Sequence, residues 1–152
     1  MGPPPASQAT PEPIPDTGGE EFNVTMVTRT GQFYVDKLEV EFNRRRGIHS
    51  FFGFYRDSYD QMVNVPFREL SRVEFLGPMP PSLFDQARVG RESLNLSEDF
   101  AFRVRLTFKD QRQSEFFAFI PKLRGERDFT LWELTLTNAN NAGGIQYIEF
   151  NR

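Results

Sequence analysis

One strand pattern occurs twice in this chain, and that repetition constrains the fold more than any other feature. Phe22, Val24, Met26 and Thr28 set every second residue on one face of an extended segment, and Phe102, Val104, Leu106 and Phe108 do the same much later. The stretches also end alike, Arg72-Val73-Glu74-Phe75 against Tyr147-Ile148-Glu149-Phe150. Between these ends Gly47 answers Gly125, each just after basic residues, and Phe52-Gly53-Phe54-Tyr55 answers Phe129-Thr130-Leu131-Trp132. The pattern predicts an all-β fold made of two tandem copies of an antiparallel β-meander, over residues 22–76 and 100–152. A meander of about 50 residues buries its apolar face poorly alone. The copies are therefore expected to pack as a sandwich or a partly closed barrel and to form one cooperative domain.

Residues 77–99 interrupt the pattern. Pro78 to Pro81 is a breaker cluster, and Ser82-Leu83-Phe84-Asp85 has the spacing of a helix N-cap box, so one short helix is expected over 82–89, stopped by Gly90. Residues 1–21 hold Pro, Ser, Thr, Gly and acids with one large apolar residue, Ile14. Such a segment buries too little surface to offset its ordering entropy and is expected to be a disordered, Pro-rich N-terminal arm.

The chain has 17 Phe and no Cys, so apolar burial must hold the fold and no disulfide or thiolate metal site can form. A net charge of −3 argues against a general nucleic-acid surface. No apolar run approaches the roughly 20 residues that span a bilayer, and the N-terminus lacks the order of a signal peptide. The expectation is a soluble chain of unassigned compartment, with peripheral membrane contact left open.

Catalytic chemistry reads poorly. His49 is the single histidine, the serines lack a Gly-x-Ser-x-Gly elbow, and neither phosphate-cradling glycine motif occurs. Asp57-Ser58-Tyr59-Asp60 lacks the full spacing of a calcium loop and reads as a turn. Glu74 and Glu149 hold matching places in the two copies, which duplication of surface positions explains. No catalytic residue, metal or cofactor is assigned. Gly53-Phe54-Tyr55 followed by Asp60, Met62 and Asn64 resembles the first motif of the Sm-like RNA-binding family. Val63 separates Met62 from Asn64, and the second motif is missing from Val65 to Leu76, so no RNA-contact role is carried over.

Two sets of binding residues remain. Phe51, Phe52, Tyr55 and Tyr59 are expected to form an exposed aromatic face for a protein partner. Arg44, Arg45 and Arg46 in the first copy, and Lys122, Arg124 and Arg127 in the second, form basic tips that could address an anionic partner. The leading expectation is a non-catalytic interaction module or accessory subunit of a larger assembly, contacted also by the N-terminal arm. The alternatives are a small apolar ligand or lipid bound between the copies, and an anionic surface or RNA bound by the basic turns.

Overall fold

A computed structural model describes residues 13–15, 19–86 and 96–151. Its strands are β1 (Val24–Thr28), β2 (Gly31–Phe42), β3 (Arg45–Ile48), β4 (Ser50–Tyr55), β5 (Val63–Pro66) and β6 (Leu70–Pro78). After a short helix, α1 (Pro81–Gln86), come β7 (Ala101–Phe108), β8 (Gln113–Phe119), β9 (Lys122–Arg127), β10 (Thr130–Thr135) and β11 (Ile145–Phe150). All described pairings are antiparallel, and the strands lie in the order β10-β9-β2-β1-β11-β6-β7-β8-β4-β5, with β3 added beside β2. Of the two expected packings, the sheet adopts the partly closed one, a curled half-barrel.

The order has an internal symmetry. Exchanging β1 with β7, β2 with β8, β4 with β9, β5 with β10 and β6 with β11 returns the same order read from the other end. The register obeys the same exchange. Val24, Thr25 and Met26 face Phe150, Glu149 and Ile148, while Val104, Arg105 and Leu106 face Phe75, Glu74 and Val73. At the centre Val73 pairs with Ile148, flanked by Glu74 with Tyr147 and Arg72 with Glu149. In this scheme the counterpart of Gly125 is Gly53, not Gly47, because both glycines sit inside a strand where a neighbour passes close. A Cβ on Gly53 would lie 1.9 Å from the Phe117 carbonyl oxygen, and one on Gly125 would lie 2.8 Å from that of Asp36. The expected match of Phe52–Tyr55 with Phe129–Trp132 is likewise shifted, since Phe129 lies in the turn between β9 and β10.

The two stretches interleave. β2 takes β9 as its outer neighbour and β8 takes β4, so each stretch completes the sheet of the other. The core runs through both, with Phe51, Phe67, Phe102, Phe116, Met26, Leu38 and Leu106 almost fully buried. His49 belongs to it as a packing residue, 5.3 Å from the Phe22 ring and 6.1 Å from Phe67 between centroids.

The linker helix begins one residue earlier than expected. Leu83 and Phe84 donate their backbone N–H to the Pro80 carbonyl, so Pro81 takes the first helical position, where a missing N–H costs nothing, and Ser82 is inside the helix instead of capping it. Residues 87–90 of the expected helix and stop lie outside the described residues. Most of the N-terminal arm lies outside them as well. Within it Pro13 is buried, and its carbonyl accepts a long hydrogen bond of 3.5 Å from Arg45 Nη1. Among the described residues no helix is long and apolar enough to cross a membrane.

Candidate interaction surface

The sheet ends in two wings that answer each other under the exchange, β8-β4-β5 and β2-β9-β10. In the first, both faces of β4 are covered. Phe51 packs on Phe67 at 4.8 Å on the inner face, and Tyr55 packs on Phe116 at 5.0 Å. On the outer face Phe54 stacks on Phe117 at 5.4 Å and Phe52 meets Phe42 at 5.9 Å, while Phe84 of α1 and Phe100 close over Phe119. This corrects the expected aromatic binding face, because Phe51 and Phe52 are 1% and 2% exposed and serve as core. Tyr55 is half-buried, and burial, with the charge of Glu69, raises its phenol above the usual value. Of that set only Tyr59, in the turn after β4, stands well exposed. Of the Sm-like positions, Met62 is buried and Asn64 accepts a hydrogen bond of 3.2 Å from the Ser50 hydroxyl, while Asp60 is exposed in the turn after β4.

The basic residues do converge, but onto carboxylates. Across β2, β9 and β10 the residues Glu39, Arg124 and Glu133 stand in one row. Arg124 is 9% exposed and lies between Glu39 (3.7 Å), Glu41 (3.4 Å) and Glu133, to which its Nη1 donates a hydrogen bond. Arg46 reaches the same Glu39 oxygen at 3.5 Å, Lys122 reaches Glu133 at 3.7 Å, and Lys37 reaches Glu126 at 3.7 Å. Four cations thus meet four acids on this face, which leaves it without the uncompensated positive field an anionic partner needs. Arg127 points to the other face, 4.0 Å over the Phe33 ring, and Arg44 is exposed in the β2–β3 turn. Glu74 is engaged by Arg105 at 2.8 Å and Glu149 by Arg72 at 3.8 Å.

Sequence reasoning did not single out the β9–β10 hairpin as a surface. Thr130 pairs with Arg127, so the loop is Asp128-Phe129 with φ of 52° and 66°, the two left-handed central positions of a type I′ turn. Asp tolerates that conformation, but for a bulky L-residue it costs roughly 1–2 kcal/mol and Gly is the ordinary occupant. Phe129 is 98% exposed, so nothing within the fold offsets that cost. Leu131, 62% exposed, and Tyr34, 64% exposed, lie on the same outer face, joined through the row Asp36–Glu126–Leu131. β10 is also an edge, six residues long and free of Pro, whereas the opposite edge β5 has four residues and ends in Pro66. Towards the C-terminal end of β10, Asn140 Nδ2 donates to the Thr135 carbonyl at 2.9 Å.

On the inner side of this wing Phe33 and Trp132 pack at 5.9 Å between centroids, and an open cavity of about 440 Å³ separates them from the turn after β1 and from Gly143-Gly144. Among the described residues no three His, Asp or Glu side chains are grouped as a metal ion would require. The chain matches no protein-family model, and neither the curated proteins nor the solved structures include a significant match to it.

Proposed function

We propose that the protein is a non-catalytic interaction module, an accessory subunit that docks through the β9–β10 hairpin and the β10 edge. The observation that carries this reading is Phe129: an aromatic side chain at a backbone position that disfavours it, fully exposed, beside exposed Leu131 and an unprotected edge strand. A residue that breaks a local rule with no gain inside the fold is best explained by a contact outside it. Edge strands recruit extended segments by main-chain hydrogen bonds, and an aromatic at the tip supplies the buried anchor such contacts need. We infer also that residues 22–76 and 100–152 are duplicated copies. The pairing order that reads alike from both ends, and the matched registers about Val73 and Ile148, support this.

The test is Phe129→Gly, which installs an Asp-Gly turn. Isolated protein should become more stable by about 1 kcal/mol, or roughly 2–4 °C in Tm for a domain of this size. Affinity purification from the native host should lose a stoichiometric partner that the wild-type chain retains. A variant that keeps every partner, alone and combined with Leu131→Ser, would overturn the hairpin as the docking element.

A further inference from the structure

Two cavities adjoin on the rim between the two sequence stretches. One, of about 440 Å³, has apolar walls from Phe33, Trp132, Leu134 and Ile145. The other, of about 210 Å³, presents Asn138, Asn141 and Gln146. They share Ile145 and Arg29, and neither lining contains an Asp or Glu, although the chain carries 21 acids. Every arginine of the neighbouring ionic face has a carboxylate, but Arg29 has none among the described residues. The wall opposite Trp132 is held in shape by Asn140, whose Oδ1 accepts from the backbone N–H of Thr137 at 2.9 Å and of Gly143 at 2.8 Å. Gly143 takes a φ of 67°, and a Cβ there would come within 2.6 Å of Leu134 Cδ2, so glycine lets the loop lie close beside the apolar wall.

We propose that these joined cavities bind a small anionic amphiphile, its apolar body against Phe33, Trp132 and Leu134 and its anionic head on Arg29 beside the Asn138 and Asn141 amides. The size lies within the roughly 300–1,000 Å³ range of small-molecule sites, and a mostly apolar wall with a few polar groups at one end is their usual composition. The charge of the head follows from Arg29, an exposed cation with no carboxylate within ion-pair reach among the described residues, in a chain whose net charge is −3. Phe129 lines neither cavity, although the Trp132 and Leu134 walls belong to β10, so the Phe129→Gly test of docking leaves the lining of this site intact.

Trp132 is the single tryptophan and reports on the cavity directly. Decanoate, titrated below its micelle concentration into the full chain, should change Trp132 emission saturably with one molecule per chain. Decanol should bind at least about tenfold more weakly, and Arg29→Gln should weaken decanoate by about tenfold while leaving decanol unchanged, as loss of a charge-assisted hydrogen bond requires. Chemical-shift changes confined to the amides of Thr28–Phe33, Trp132–Leu134 and Asn138–Gln146 would place the ligand. Absence of saturable binding, equal affinity for decanoate and decanol, or an Arg29→Gln chain that binds decanoate like wild type would each overturn the proposal. A Trp132 response to anionic vesicles and none to monomeric decanoate would overturn it too, and would mark this rim as a membrane-facing surface.

Discussion

The two wings share one hydrogen-bonding scheme and differ in what covers it. On β4 the outer-facing residues Phe52 and Phe54 are buried against Phe42 and Phe117, and Phe84 and Phe100 close over the neighbouring Phe119, so the wing is sealed on both faces. The corresponding residues of β9 are Arg124 and Glu126, on a face that meets solvent through an ionic lattice. Inside, Tyr55 closes over Phe116, whereas its counterpart Arg127 lies over Phe33 beside a cavity. Even the edges differ, β5 ending in Pro66 and β10 running past a strained, exposed Phe129. One pairing scheme thus carries a wing covered on both faces and a wing with exposed Leu131 and Phe129, and the difference lies in the side chains, in the lengths of the edge strands and in the helix that covers one wing.

The close-packed glycines test that contrast most severely. At Gly53 the obstacle to a Cβ is the Phe117 carbonyl at 1.9 Å, a backbone atom fixed within a paired strand. At Gly125 the nearest atom is Cγ1 of the buried Val35 side chain at 2.5 Å, and the nearest backbone atom, the Asp36 carbonyl oxygen, is 2.8 Å away. Gly53→Ala should therefore cost about 3 kcal/mol or more, and Gly125→Ala about 1–2 kcal/mol, measured by urea unfolding. Equal costs would mean that the open wing is packed as rigidly as the sealed one.

Arg124 and Phe52 occupy corresponding positions with opposite chemistry. Arg124→Met removes the cation that Glu39, Glu41 and Glu133 share, leaving Arg46 on Glu39 and Lys122 on Glu133, and about 2–3 kcal/mol of stability should be lost. Phe52→Leu should cost about 1–2 kcal/mol through lost packing. Salt separates the two mechanisms: raising it toward 1 M should shrink the Arg124→Met penalty by screening the acids and leave the Phe52→Leu penalty unchanged. A salt-independent Arg124→Met penalty would show that the arginine acts through its packed stem.

What could be read from the sequence follows from which residues alternate. Val24/Met26 and Val104/Leu106 gave β1 and β7, and the Val-Glu-Phe and Ile-Glu-Phe endings matched β6 to β11, because strands with one buried face carry a period of two. Ser50 to Tyr55 breaks that period, and an unbroken apolar run is the sign of a strand covered on both faces, so the burial of Phe51 and Phe52 was legible in principle. The β9–β10 turn was hidden because Asp-Phe stands where Asn-Gly or Asp-Gly is the usual signal, and the departure that concealed it is the same one that points to a contact. The cavity rim and the meeting of Arg46 with Arg124 over Glu39 depend on strands far apart in the chain, and no local pattern encodes them.

The smallest contrast lies between Glu115 on β8 and Tyr34, its counterpart on β2. Arg103 donates a hydrogen bond to Glu115 and Arg56 adds another at 2.7 Å, together holding its carboxyl below the usual glutamate range. A depressed value in the folded state means that the unfolded chain takes the proton more readily. The stabilisation is therefore complete above the ordinary glutamate value of about 4.3 and is lost as pH falls through the lower folded value. Glu115→Gln should cost about 0.5 kcal/mol at neutral pH, the scale of an exposed ion pair, and the difference from wild type should vanish in acid once pH has fallen through the lowered folded value. Tyr34→Gln removes an exposed side chain with no such pair and should leave the acid limb of the stability curve where it is. If both substitutions flatten that limb alike, the acid sensitivity belongs to the fold as a whole, and the sealed wing has no electrostatic feature of its own.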